Sequence, residues 1–239
     1  MIELLPYCGE APHPAGWLAH WNLDPVVLIA LALLGIGIWQ YRGQLRVRPA
    51  TAALTLAGFV FVSPFCAMGS ALFTVRILHD LILAAALAPL IVAALRMESL
   101  RVGGNLVFWT IFHASTFLVW HAPSLYEAAM TSDAIFWAMQ FSITGTAAVW
   151  WIKVIRAEAP GAAMALLATM VSMGALGALL TFAQRALYAP HWLTTSMWGL
   201  SPMEDQQTAG IVMWGPASLV YMLAALAILY RSLEQKAPA

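Results

Sequence analysis

Long apolar runs separated by short polar joins dominate the chain, lying near 26–41, 51–69, 72–95, 104–121, 133–152, 161–184 and 203–230. A spanning helix needs about 20 mostly apolar residues, and each run meets or approaches that length. The first is short, with Trp39 and Tyr41 placed as interfacial anchors. Pro, Gly and charged residues punctuate the joins, as in RGQLRVRP, RMESLRVGG and KVIRAEAPG. The pattern predicts an all-α, polytopic membrane protein: a seven-transmembrane-helix bundle forming one membrane domain over 1–239, with 1–25 as an N-terminal segment before the first span. It contains no internal repeat, low-complexity tract or second domain.

Composition supports the membrane assignment. Charged residues make up 9% of the 239 positions and hydrophobic ones 62%, whereas a soluble domain carries about 25% charged residues. A net charge of zero gives nucleic acid nothing to bind, so lipid is the expected surroundings. The start, MIELLPYCGEAPHPAGWLAHW, lacks both a basic region and an apolar core, and so does not read as a cleavable signal peptide. Cys8 and Cys66 are too few for a disulfide framework but could form one bridge.

Basic residues set the orientation. Arg42, Arg46, Arg48, Arg96, Arg101, Lys153, Arg156, Arg231 and Lys236 fall on one side of the expected topology, and only Arg76 and Arg185 on the other. The N-terminus is therefore expected outside, in the periplasm of a bacterium, and the C-terminus in the cytoplasm.

With that topology every histidine falls on the outer side or in the outer half. His13 and His20 precede the first span and His191 precedes the last. His79 should sit about 10 Å down the third span, and His113 about 12 Å below His121 on the fourth, rotated by about 80°. His79 and His113 are thus expected at matched depth on adjacent helices. One reading is a metal site, since neutral imidazole binds copper, zinc and iron, and soft sulfur favours Cu(I). Cys8, Cys66 and Met68 are on the same side, and Met139 and Gln140 on the fifth span lie at about the depth of His79. The other reading is that the imidazoles hydrogen-bond across helices as packing groups.

Arg76 and Asp80, four residues apart on one helix, can form an ion pair, and Asp80 can instead act as a ligand or orient a ligating histidine. Ser201-Pro202-Met203-Glu204 fits a capping box that starts the last helix. Asp205, Gln206 and Gln207 follow it, either as a solvated rim or as a polar lid over the histidines. Gly174, Gly177 and Ala178 read as a close helix contact.

These residues carry a resemblance. WNLDPVVL, YRG, LHDLILAAALAPLIV, FHASTFLVWHAPSLYEAA and WGLSPMEDQQTAGIVMW together span nearly the whole chain. The chain resembles the multi-spanning CtaG-type cytochrome c oxidase assembly factors of bacteria, which are distinct from the single-span copper chaperone that shares the CtaG name. The resemblance maps the family's motif histidines to His79, His113 and His121, and its Asp-Gln pair to Asp205 and Gln206. Where the family usually has a second histidine in the third helix, this chain has Asp80, and DAIFWAMQFS in the fifth span has none of the histidines many members carry. The resemblance implies a role in maturing a terminal oxidase at the stage of copper delivery.

The expected function is therefore a non-enzymatic assembly factor of the bacterial inner membrane, binding or delivering copper through His79, His113 and His121. Asp80, Met139, Gln140, Asp205 and Gln206 are the candidate supporting residues. Its expected partners are a terminal oxidase subunit or other oxidase assembly factors. No nucleophile with a base, CxxC pair or phosphate loop points to catalysis. The alternatives are a haem-b electron carrier with His79 and His113 as axial ligands, and a scaffold or ion-pathway protein without metal. Against a pathway, no ionisable residue lies in the inner half of any span.

Overall fold

A computed structural model describes residues 6–234; the first five residues and the end of the basic tail, Lys236 included, lie outside the described residues. The described chain is all-helical, with no strand among the described residues. Asp24 opens α1 (Pro25–Gln40) by accepting a hydrogen bond from the Val26 amide at 2.8 Å, with Pro25 at the first helical position. Only Val27 of this helix is buried, so α1 presents apolar side chains outward nearly all round.

α2 (Val47–Phe61) stops at Ser63-Pro64, and α3 (Pro64–Ala71) continues with a bend of 44°. The single run expected over 51–69 is thus a broken helix. Pro64 cannot donate to the ladder, and the Ser63 hydroxyl accepts from the Phe65 amide to restart it. Leu72 is extended, and the next helix begins beside it as α4 (Phe73–Ile82), a π turn (Leu83–Leu87) and α5 (Ala88–Ala94). Pro89 explains the π turn: it lacks an amide and its ring would clash with the carbonyl of residue 85. The Trp151 indole donates to the Ala84 carbonyl within that turn at 2.9 Å.

α6 (Leu106–Trp120) ends at His121, and α7 (Pro123–Thr131) is a short helix folded over that end. α8 (Asp133–Arg156) and α9 (Ala159–Phe182) are long spans, and α10 (Pro202–Trp214) meets α11 (Pro216–Glu234) at Gly215-Pro216. The capping box at Ser201 and Glu204 is present. α9 packs on α10 and α11, α6 on α8, and α4 on α10. The α9–α10 contact is the close glycine crossing expected: a Cβ on Gly177 would lie 2.7 Å from the Gly210 carbonyl oxygen.

Four helices are long and apolar enough to cross a membrane, five if α2 and α3 count as one bent span, while α1 and α6 are shorter apolar helices. At the basic end of the bundle, Lys153 donates to the Val102 and Gly104 carbonyls, Arg156 to the Leu100 carbonyl, and Arg46 pairs with Glu98. At the other end the N-terminal segment is tied to α3 by a Cys8–Cys66 disulfide, the bridge that sequence left open.

Candidate functional site

The site grows from one face of α4. Arg76, His79 and Asp80 lie three and four residues apart there, and all three are at most 1% exposed. The expected Arg76–Asp80 ion pair does not form: among the described residues Arg76 has no carboxylate within ion-pair distance. Arg76 instead turns toward the disulfide, with Nη2 3.9 Å from Cys8 Sγ and 3.8 Å from Met130 Sδ, and its guanidinium 5.0 Å from the Phe136 ring centre. Its Nε and Nη1 are buried without a partner among the described residues.

Asp80 is left to two histidines. His79 Nδ1 is 3.4 Å from Oδ1, and His121 Nε2 is 3.8 Å from Oδ2. The His79 ring is held edge-on by Phe61 and face-on by Phe65. His121, at the end of α6, is stacked on Phe117 and has Nδ1 2.7 Å from the Phe117 carbonyl oxygen. A carbonyl only accepts, so Nδ1 of a neutral His121 carries the proton and Nε2 presents a lone pair. That lone pair faces Asp80 Oδ2, another acceptor, and neither atom has a hydrogen-bond partner. Two acceptors face each other in a buried space. His79 Nε2 is likewise unpartnered.

Depth matching between His79 and His113 therefore fails as a guide. The partner level with His79 and Asp80 is His121, because α7 and the 183–201 loop roof the bundle there and bury His121, at 2% exposure. The Tyr188 hydroxyl donates to the His121 carbonyl at 2.8 Å from that loop. His113, two turns back along α6, has its Nδ1 3.1 Å from Thr146 Oγ1 and its ring stacked on Trp150. The Thr146 hydroxyl donates to the Ser142 carbonyl, so His113 Nδ1 donates to Thr146. This is a cross-helix hydrogen bond of the kind packing histidines make, and it leaves the His113 Nε2 buried without a partner among the described residues.

Gln140 stands one turn beyond Phe136 on α8, as Asp80 stands one turn beyond Arg76 on α4. The Arg76–Phe136 contact therefore puts Gln140 at the level of Asp80, with both amide atoms buried and unpartnered. Met139, also buried, belongs to the main apolar core. Met68 packs in a separate small cluster with Leu72 and Trp198. His13 and His20 are exposed.

Asp205 and Gln206 are neither rim nor lid. Asp205 accepts from the Phe73 and Thr74 amides at 2.6 and 3.1 Å, capping the N-terminus of α4 from α10. Gln206 accepts from the Leu187 amide and donates to the Leu180 and Arg185 carbonyls, closing the end of α9.

Two buried residues went unnoticed as site neighbours. His191 and Tyr126 share a hydrogen bond of 2.7 Å beneath the roof. Burial, reinforced by the positive charge of Arg76, pushes the His191 imidazole down to about 3. The WHAPSLY stretch held a signal for Tyr126, a polar ring spaced to fall under a short helix. His191 lies in a loop, and loops carry no periodicity to reveal burial.

Among the described residues, no three His, Cys, Asp or Glu side chains form a ready metal cage. What the arrangement supplies is an acceptor pair, Asp80 Oδ2 and His121 Nε2, with room in charge for a proton or a cation between them. The family model for the cytochrome c oxidase caa3 assembly factor (Caa3_CtaG) matches residues 30–235. The chain belongs to that family. No curated protein and no solved structure matches it. Membership in this assembly-factor family ties the chain to cytochrome c oxidase and points to a non-catalytic role in the membrane. The matched range covers the whole Asp80 group and the Asp205–Gln206 clasp, and leaves Cys8 outside.

Proposed function

We propose that the chain assists terminal oxidase maturation in the bacterial inner membrane by carrying copper as cargo at Asp80 and His121. The observation behind this reading is the facing pair of unpartnered acceptors, Asp80 Oδ2 and His121 Nε2, 3.8 Å apart. Facing lone pairs repel, and a buried carboxylate is costly unless a positive charge compensates it. A copper ion between them would supply that charge, and imidazole suits copper. His79 donates to the other Asp80 oxygen and so orients the carboxylate. Two protein ligands leave coordination positions open, which suits a site that must release its cargo to an oxidase subunit.

The topology adopted is seven spans with the N-terminus outside: α1, the bent α2–α3 pair, α4 to α5, α6, α8, α9, and α10 with α11. The basic-residue asymmetry supports it, and with it the Asp80 group lies on the periplasmic side. A haem reading with His79 and His113 as axial ligands is disfavoured by placement: His121 shares Asp80 with His79, while His113 lies two turns deeper against Thr146.

Copper content of the purified protein tests the reading. His121→Ala should abolish copper retention, His79→Ala should weaken it, and His113→Ala should retain it, with oxidase activity in cells following the same order. Equal copper retention by all three variants would rule out the Asp80 group as the carrier.

A further inference from the structure

Arg76 is the least expected feature of the fold: a guanidinium 1% exposed that, among the described residues, has no carboxylate beside it and two nitrogens unpartnered. An uncompensated buried charge is as destabilising as one left by a broken buried ion pair. Beside the Phe136 ring, its neighbours are sulfur. Nη2 lies between Cys8 Sγ and Met130 Sδ, and Cys8 is bonded to Cys66. A Cβ on Gly69 would sit 3.5 Å from the guanidinium carbon, so α3 leaves the group just enough room.

We propose that Cys8, Cys66 and Met130 form a second, soft-ligand copper site that opens when the disulfide is reduced, with Arg76 as its built-in counter-charge. A dithiol donor attacks one sulfur of the pair and the S–S bond breaks. Two electrons and two protons pass to Cys8 and Cys66, and the donor leaves as its own disulfide. Cu(I) then replaces the two thiol protons without changing oxidation state. Two thiolates and one Cu(I) carry a single negative charge, which the single positive charge of Arg76 balances. The Met130 thioether, against the same guanidinium nitrogen, is a third soft donor of the kind Cu(I) prefers. In the oxidised chain the sulfurs carry no charge, and Arg76 has no counter-charge among the described residues.

The fold keeps Cys8 at this place independently of the bridge. Tyr7 donates to Asp24 at 2.5 Å and stacks on Phe136, the ring that also meets Arg76. Gly9 completes the turn with a φ of 89°, its amide bonded to the Pro6 carbonyl. Glu10 beside this turn is exposed while Cys8 and Cys66 are 4% and 1% exposed, so a donor reaches the bridge when the turn swings outward. Arg76 is one helical turn, about 6 Å, from Asp80. The sulfur site would therefore lie between the solvent-facing turn and the carrier group of the proposed function, as an entry station. It deepens that reading but binds through different atoms.

The full chain in detergent tests this, with Cu(I) titrated against a chromophoric chelator before and after phosphine reduction, and with X-ray absorption at the copper edge. Reduction should add one further Cu(I) per chain with sulfur ligation. That increment should vanish in the Cys8→Ser/Cys66→Ser double variant, and equally in reduced wild type alkylated with iodoacetamide if the double variant fails to fold. Arg76→Met should weaken the increment by at least about tenfold, and Met130→Leu should weaken it less. Copper uptake unchanged by reduction, or an increment that survives alkylation, overturns the proposal. The His121→Ala arm separates the two sites. If it still gains the sulfur-bound Cu(I), the sulfur site stands whatever becomes of the Asp80 carrier.

Discussion

Asp205 and Asp80 are both fully buried aspartates, each packed at the join between α4 and a second helix. Asp205 meets two backbone amides, and the Thr74 hydroxyl donates to its carbonyl at 2.9 Å. Its charge lies at the positive end of α4, where helix amides and dipole both favour an anion. Asp80 has one long contact to His79 and, on its other oxygen, an imidazole lone pair. The first aspartate is saturated by the fold and the second is not. Saturation marks architecture, and a buried group left short of partners marks where something else is meant to enter.

Removing the saturated group should have the largest effect. Asp205→Ala strips the α4 cap and leaves one buried and one partly buried amide unpaired, and hydrogen bonds to charged groups contribute about 1.5–3 kcal/mol each. We expect a loss of about 3 kcal/mol or more in thermal unfolding in detergent, and little folded protein at growth temperature. A variant as stable as wild type would mean that the cap is not what holds α4 in place.

Asp80→Asn should do the opposite. It removes an undercompensated buried charge, so stability should hold or rise slightly, by at most about 1 kcal/mol, while copper retention falls as far as in His121→Ala. Loss of stability with copper retained would place Asp80 among the architectural groups, and the contrast between the two aspartates would collapse.

The smallest effect belongs to His191, an intermediate case with Nε2 bonded to Tyr126 and Nδ1 unpartnered. Its imidazole is held neutral, pushed down to about 3 from the usual 6.5. The unfolded chain therefore takes up a proton near pH 6.5 that the folded chain refuses until about pH 3. Stability from this group is complete above pH 6.5 and is lost as pH falls toward 3. Unfolding midpoints measured across that range should drop with acid, and His191→Gln should flatten the slope. A slope unchanged in the variant would assign the acid sensitivity to other groups.

The helical architecture was legible in the chain because a membrane span is a property of composition. About 20 apolar residues in a row can satisfy their backbone only as a helix, whatever surrounds them. Local chemistry was legible too: Asp24 before Pro25, the Ser201–Glu204 capping box and the Gly177 crossing all act over a few residues or one contact. Which histidines meet was not. Helical spacing gives position along an axis, but the reference plane from which depth is counted depends on what covers the helix end. Here α3, α7 and the 183–201 loop extend the fold past the end of α6, so His121 is buried at the level of Asp80 and His113 drops two turns deeper, against Thr146. The pairing of Arg76 likewise followed from packing: an i, i+4 spacing permits an ion pair with Asp80, but the side chain turned to Cys8, Met130 and Phe136 instead. Sequence determined that polar groups would be buried at one end of the bundle. Only the tertiary structure decided which of them would be satisfied, because satisfaction is settled by atoms brought from distant helices.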